Sequence, residues 1–154
     1  MEASASRQIS RHLDELAVAL PQRASALTRI FFARTPTGPS RTEVGLLAAL
    51  STRPYRITEL AAREGITQPA VTQLVNRLER RGWVERRTDP QDGRVVLVAL
   101  TDEGVEAIGR VRAEYRALLH EEMASLDDDE VETLAAAVDI LDRLIDRLGG
   151  RVRA

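Results

Sequence analysis

The stretch from Thr67 to Gly104, TQPAVTQLVNRLERRGWVERRTDPQDGRVVLVALTDEG, restricts the possible folds of this chain more than any other. It reads as a helix, a tight turn and a two-stranded hairpin with arginines at its base and tip. The Thr67 hydroxyl is expected to cap a helix running to Arg81 by accepting from the orphan amides of the first turn. Pro69 is tolerated in that turn, where no amide partner is needed. Gly82 then stops the helix in the left-handed conformation. Val71, Leu74, Val75 and Leu78 recur at helical spacing and bury one stripe, which turns Gln68, Thr72, Gln73, Asn76 and Arg80 the other way. Gln and Asn can bond adenine N6 and N7 together, and Thr can touch a thymine methyl, so this outer face carries base-reading chemistry. On an isolated helix such a face is ordinarily just solvated. A hairpin at this spacing behind it favours nucleic-acid reading.

The hairpin carries the pattern further. Asp92-Gly93-Arg94 is followed by VVLVA and then by Leu100-Thr101-Asp102-Glu103-Gly104. Leu78-Glu79 and Gly82-Trp83-Val84-Glu85-Arg86 stand at a fixed distance before it. In this order and spacing the residues resemble the MarR-type winged-helix transcriptional regulators, whose wing shows D-x-R, about five mostly apolar residues and L-T-x-x-G. The resemblance is specific over about residues 40 to 110, and the flanks share only a helical pattern.

Charge distribution agrees with a nucleic-acid partner better than total charge does. The formal net charge is −2, which by itself suits a solvated surface. Residues 51–100 hold nine Arg against six acidic residues, whereas residues 101–150 hold five Arg against fourteen. All 22 basic residues are Arg, a composition that genome base content explains in large part. Physically, it supplies planar forks suited to phosphate and guanine edges.

Helices account for the rest. With 154 residues, 44% apolar content and only 3% aromatics, the chain can build one sizeable core from Leu, Val, Ile and Ala. Residues 6 to about 33 read as one long helix or two in line, with Pro21 kinking or dividing it. Thr35-Pro36-Thr37-Gly38-Pro39 is a turn-rich break, and Ser40 with Glu43 forms a capping box for a helix whose Val44, Leu47 and Leu50 face the core. Ser51 to Tyr55 reads as a loop, Ile57 as a short strand, and Thr58 as the cap of a helix through Glu64 that Gly65 ends. After the hairpin, Thr101 caps one helix and Asp127 another that runs to Leu148 before Gly149-Gly150. In the last helix Val131, Leu134, Val138, Leu141, Ile145 and Leu148 step as a heptad seam, which needs a partner helix. Packing against the N-terminal helix of the same chain and pairing between two chains both satisfy it.

The expected fold is therefore mainly α with a small β-hairpin wing. The resemblance implies one MarR-type domain over residues 1–154, with a winged helix-turn-helix lobe at 40–104 and terminal helices at 6–33 and 105–148. The resemblance implies that these helices dimerise, placing Leu13, Leu16, Leu134, Val138, Leu141 and Ile145 at a homodimer interface. It implies sequence-specific binding of double-stranded DNA at an inverted-repeat operator, with repression as the usual outcome. Contacts would come from Thr67, Gln68, Pro69, Thr72, Gln73, Asn76, Arg77 and Arg80 on the recognition helix and from Arg86 and Arg94 on the wing. Arg94 would enter a narrow minor groove with Asp92 orienting its guanidinium. Val96, Val98 and Leu100 share the wing face expected to anchor to the body. Ala70 and Gln73 stand where the family commonly has serine and often arginine, so two usual contacts are missing. The family also often binds a small anionic or phenolic effector, and His12, Phe31, Phe32, Arg34 and Tyr115 are the candidates here.

Other classes find little support. The absence of cysteine removes disulfides, thiol redox switching and thiolate metal sites. With two separated histidines, His12 and His120, and no glycine-rich phosphate loop, no catalytic residue is expected. Asp127 to Glu130 read as a charged helix start, and His120 with Glu121 or Glu122 supports metal binding only weakly, so neither metal nor cofactor is expected. No segment approaches the ~20 apolar residues of a membrane span and the N-terminus lacks a signal pattern, so a soluble cytoplasmic protein with no membrane partner is expected. The competing reading is a winged-helix module that docks on protein without specific DNA binding.

Overall fold

The structure, a computed structural model, describes residues 2–34 and 38–152. Its elements run α1 (Glu2–Arg34), α2 (Arg41–Leu50), α3 (Ile57–Glu64), α4 (Gln68–Arg80), β1 (Val84–Thr88), β2 (Val96–Leu100), α5 (Asp102–Met123) and α6 (Asp128–Val152). This is the mainly helical fold with a hairpin wing that the pattern predicts. The chain forms two compact units, Met1–Val111 and Arg112–Ala154, with the boundary inside α5.

Local chemistry sets most element boundaries. Ser40 and Glu43 make a reciprocal capping box: the Ser40 amide donates to Glu43 Oε2 at 2.8 Å and the Glu43 amide to Ser40 Oγ. Asp127 and Glu130 repeat the arrangement at the start of α6. Gly65 and Gly82 hold φ of 66° and 73° after α3 and after the last turn of α4, a conformation a Cβ disfavours.

Several boundaries differ from the sequence reading. Ile57 is the first residue of α3 instead of a strand, and Arg56, not Thr58, is its cap residue, with its amide donating to Glu59 Oε2 at 2.8 Å. The short strand-like contact falls at Tyr55, which exchanges two backbone hydrogen bonds with Val98 at 3.0 and 2.8 Å. Helix α1 passes through Pro21 undivided, because one lost hydrogen bond is outweighed by the helical turns on both sides. Helix α6 continues past Gly149 to Val152, since glycine stops a helix when it turns left-handed and Gly149 does not. The Thr35–Thr37 part of the expected break lies outside the described residues.

The core of the first unit is aliphatic. Leu46 and Leu47 of α2, Leu60 of α3, Val71, Val75 and Leu78 of α4, and Val98 of β2 are fully buried, with Ala107 and Ile108 of α5 nearly so. Each large side chain removed from water contributes roughly 2 kcal/mol. Strands β1 and β2 pair antiparallel from Val84↔Leu100 to Thr88↔Val96. The wing is anchored at its base only, through Val84, Val98 and Ala99. Val96 is 53% exposed and is not an anchor, because the strands run beyond the body before reaching it. Among the described residues no helix is long and apolar enough to cross a membrane.

Candidate nucleic-acid interface

Helix α4 packs against α3 and β1, and its Val71, Leu74, Val75 and Leu78 stripe is buried against them. The opposite face is polar. Thr67, Gln68, Pro69, Gln73, Asn76, Arg77 and Arg80 are exposed, with Ala70 and Thr72 half-buried. Thr67 occupies the cap position in extended conformation, but its hydroxyl makes no cap hydrogen bond. Its carbonyl accepts from the Val71 amide at 3.1 Å, so the backbone starts the helix and the hydroxyl is not committed to the cap. The Thr72 hydroxyl donates to the Gln68 carbonyl at 2.9 Å, which leaves its methyl as the group available to a thymine methyl.

The arginines are used differently from one another. Arg80 makes no ion pair among the described residues, whereas Arg77 Nε lies 3.5 Å from Glu43 Oε1 and Arg81 Nη1 lies 3.6 Å from Glu43 Oε2. Both guanidinium side chains stay about half exposed, at 46% and 45%, so each can face an anion outside while held from within. Arg81 also lies 5.0 Å over the Trp83 ring. Arg86 on β1 pairs with Glu79 and donates from Nη2 to Asn76 Oδ1 at 2.7 Å. It is therefore tied to α4 instead of projecting freely as the expected phosphate contact. Arg87 pairs with Glu85 on its own strand.

At the wing, residues 89–95 form a tight loop closed by the Asp89 amide donating to the Val95 carbonyl and the Val95 amide to the Asp92 carbonyl, both at 2.9 Å. Asp89 and Asp92 each accept the amide two residues on, at 2.9 Å from Gln91 and 3.1 Å from Arg94. Asp92 thus shapes the backbone at Arg94 and does not pair with its guanidinium, because an Asx turn is the nearest bond its short side chain can make. The Arg94 side chain is exposed at the tip with no ion pair among the described residues.

Glu43 was legible from sequence only as half of a capping box. Its 3% exposure and its two arginine neighbours make it the node joining the start of α2 to the C-terminal end of α4. Burial pushes its carboxyl pKa up, but the Ser40 amide and hydroxyl and the Arg81 and Arg77 guanidiniums outweigh this, and the net shift is downward. A lowered folded value means that the carboxylate stabilises the fold above the ordinary 4.5 and that this contribution is lost as pH falls through the folded value. Glu43→Gln is therefore expected to cost about 1–2 kcal/mol at neutral pH and to flatten the acid limb of stability below about 4.5. Urea midpoints measured against pH for both proteins check this, and parallel acid limbs would contradict it.

Comparison with known proteins fits this geometry. Residues 37–95 match the MarR family profile. The HTH-type transcriptional regulator Mb0904 of Mycobacterium bovis is 31% identical over 122 residues, covering 78% of this chain and 85% of that protein. The chain belongs to the MarR family of transcriptional regulators. The crystal structure of wild-type MarR from Escherichia coli superposes with a TM-score of 0.66 at 27% identity, covering 84% of this chain and 96% of that one. The transcriptional repressor MprA of Escherichia coli is 31% identical over half of this chain, which spans 44% of that protein.

In this MarR-family chain the effector candidates of the first unit fall at two places along α1. Phe31, Phe32 and Arg34 share the last turn of α1, the first two half-buried and Arg34 exposed. His12 is exposed on the same unbroken helix, nineteen positions before Phe31, or roughly 28 Å along its axis at ~1.5 Å per residue. That separation prevents His12 from lining one small-molecule pocket with them in a single chain. Tyr115, half-buried, belongs to the second unit. The apolar residues assigned to dimerisation are exposed on their helices, Leu13 and Leu16 on α1 at 62% and 53%, and Leu134, Val138, Leu141 and Ile145 on α6 between 37% and 63%.

Proposed function

We propose that this regulator is a ligand-responsive repressor that binds an inverted-repeat operator as a homodimer. The observation that carries the DNA-reading part is the two-sided character of α4, buried on one stripe and rich in amide and guanidinium groups on the other, with exposed Arg94 on the same lobe. In this reading the 40–104 lobe places α4 in the major groove, where Gln68, Thr72, Gln73 and Asn76 meet base edges. Arg77 and Arg80 neutralise phosphates, and Arg94 enters the minor groove.

Dimerisation is supported by the apolar seam of α6. A helix-long row of half-exposed Leu, Val and Ile in water is unfavourable, and a second copy removes it at a symmetric interface. Residues 6–33 and 105–148 supply those helices. Two-fold symmetry then sets the operator, with half-site centres about 10 base pairs apart. The effector reading rests on the family, and its site is proposed at Phe31, Phe32 and Arg34, where an aromatic pair and a cation suit an anionic or phenolic compound. Such a compound acts by preferring one spacing of the two lobes.

Selecting bound fragments from random duplexes with the purified protein is expected to return an inverted repeat, and the free protein is expected to sediment at twice the chain mass. Repeating the selection with small aromatic acids tests release. Enrichment of unrelated fragments by a monomer would overturn the reading.

A further inference from the structure

The contact between wing and recognition helix bears on which base Asn76 can read. Asn76 is exposed in the last half of α4, yet its Oδ1 is occupied by Arg86 Nη2 at 2.7 Å. Arg86 is itself pinned by Glu79, which stands three residues after Asn76 on the same helix. The amide orientation follows from chemistry, because a guanidinium has only donors and must meet the carboxamide oxygen; the flipped amide would set N–H against N–H. The two N–H donors of Asn76 are left free for a ligand, and the one lone pair remaining on Oδ1 lies beside a guanidinium that repels a second donor. An asparagine that recognises adenine uses both ends, donating to N7 and accepting from N6. Here the accepting end already faces a fixed cation.

We propose that Asn76 is a specificity-determining residue that works chiefly as a donor, and that Arg86 is the positioning residue that makes it so. The base it selects is guanine, whose major-groove edge offers the adjacent acceptors N7 and O6, and adenine is disfavoured because its N6 amino group would have to share an oxygen already bonded to the Arg86 guanidinium, with that cation beside it. This rests on the placement of α4 in the major groove proposed above. Arg86 acts through Asn76, so its loss changes which base is preferred and not simply how tightly DNA is held.

The test is selection from random duplexes by the full-length protein and by its Asn76→Ala, Arg86→Ala and Arg86→Lys variants. The wild-type motif is expected to carry guanine over adenine by about 10-fold at one position per half-site. Asn76→Ala flattens that position and no other. Arg86→Ala frees the carboxamide oxygen and admits adenine there, whereas Arg86→Lys keeps a donor against the oxygen and restores guanine. Adenine in the wild-type motif at the position that Asn76→Ala flattens would overturn the inference while leaving DNA reading by α4 intact. The same holds if Arg86→Ala weakens binding with an unchanged motif. Enrichment of no motif at all by the wild-type protein would remove both the reading of α4 and this inference.

Discussion

Gly104→Ala is expected to destabilise the protein by about 3 kcal/mol, because the added methyl has nowhere to go. A Cβ at this position would run into the Trp83 carbonyl oxygen and lie 2.9 Å from its carbon and 3.0 Å from Leu100 Cδ2. The first two atoms are backbone, and this backbone is tied on both sides. The Trp83 amide donates to the Leu78 carbonyl at 3.0 Å, and its carbonyl accepts from the Thr101 amide at 3.2 Å. The Thr101 hydroxyl donates to the Gly82 carbonyl and accepts from the Gly104 amide at 3.1 Å. Gly104 is thus the point where the first turn of α5 touches the chain between α4 and β1, and relief of the clash requires breaking one of those bonds. Gly109→Ala is the control, since a Cβ there meets nothing within 4 Å on an exposed helix face. That change is expected to stabilise by up to about 1 kcal/mol through helix propensity. Urea denaturation of the two variants separates the effects, and equal midpoints would refute the close-approach argument.

Arg94→Ala is expected to weaken operator binding by about 10- to 100-fold and to make its salt dependence shallower by roughly one unit per protomer. Its side chain is exposed at the tip of the wing and makes no ion pair among the described residues, so folding should be unaffected. Arg86→Ala offers the contrast: Arg86 is held by Asn76 and Glu79, and its loss is expected to act through them. A suitable control is Arg110→Ala, which removes an exposed arginine paired with Glu106 on α5. Titration of a labelled operator over a range of salt concentrations measures all three. Unchanged affinity and slope for Arg94→Ala, with circular dichroism like the parent, would favour a winged helix that docks on protein instead of DNA.

Much of this architecture is legible along the chain because its causes are local. The stripe Val71, Leu74, Val75 and Leu78 is buried as its spacing requires, and Gly65 and Gly82 take the left-handed turns that end their helices. The capping boxes at Ser40 and Asp127 form between residues three apart, so no distant part of the fold is needed. The misreadings have a common origin. Ile57 has strand chemistry but follows Arg56, whose amide Glu59 caps, and the pairing with Val98 is taken by Tyr55 two residues earlier. Val96 alternates correctly with Val98, but how far a hairpin runs beyond the body is not encoded in the alternation.

The sequence by itself determined most of the segments that become helix and hairpin, the ends set by capping boxes and left-handed glycines, and which face of α4 is polar, since periodicity, caps and such glycines act within a few residues. The tertiary structure alone decided what the charged groups do. Glu43 gains Arg77 and Arg81 from a helix more than thirty positions away, Arg86 reaches back to Asn76 and Glu79, and Gly104 meets the Trp83 carbonyl. A guanidinium or a carboxylate carries the same charge wherever it stands, but its partner, its desolvation and the atoms it leaves for a ligand depend on which elements the folded core brings beside it.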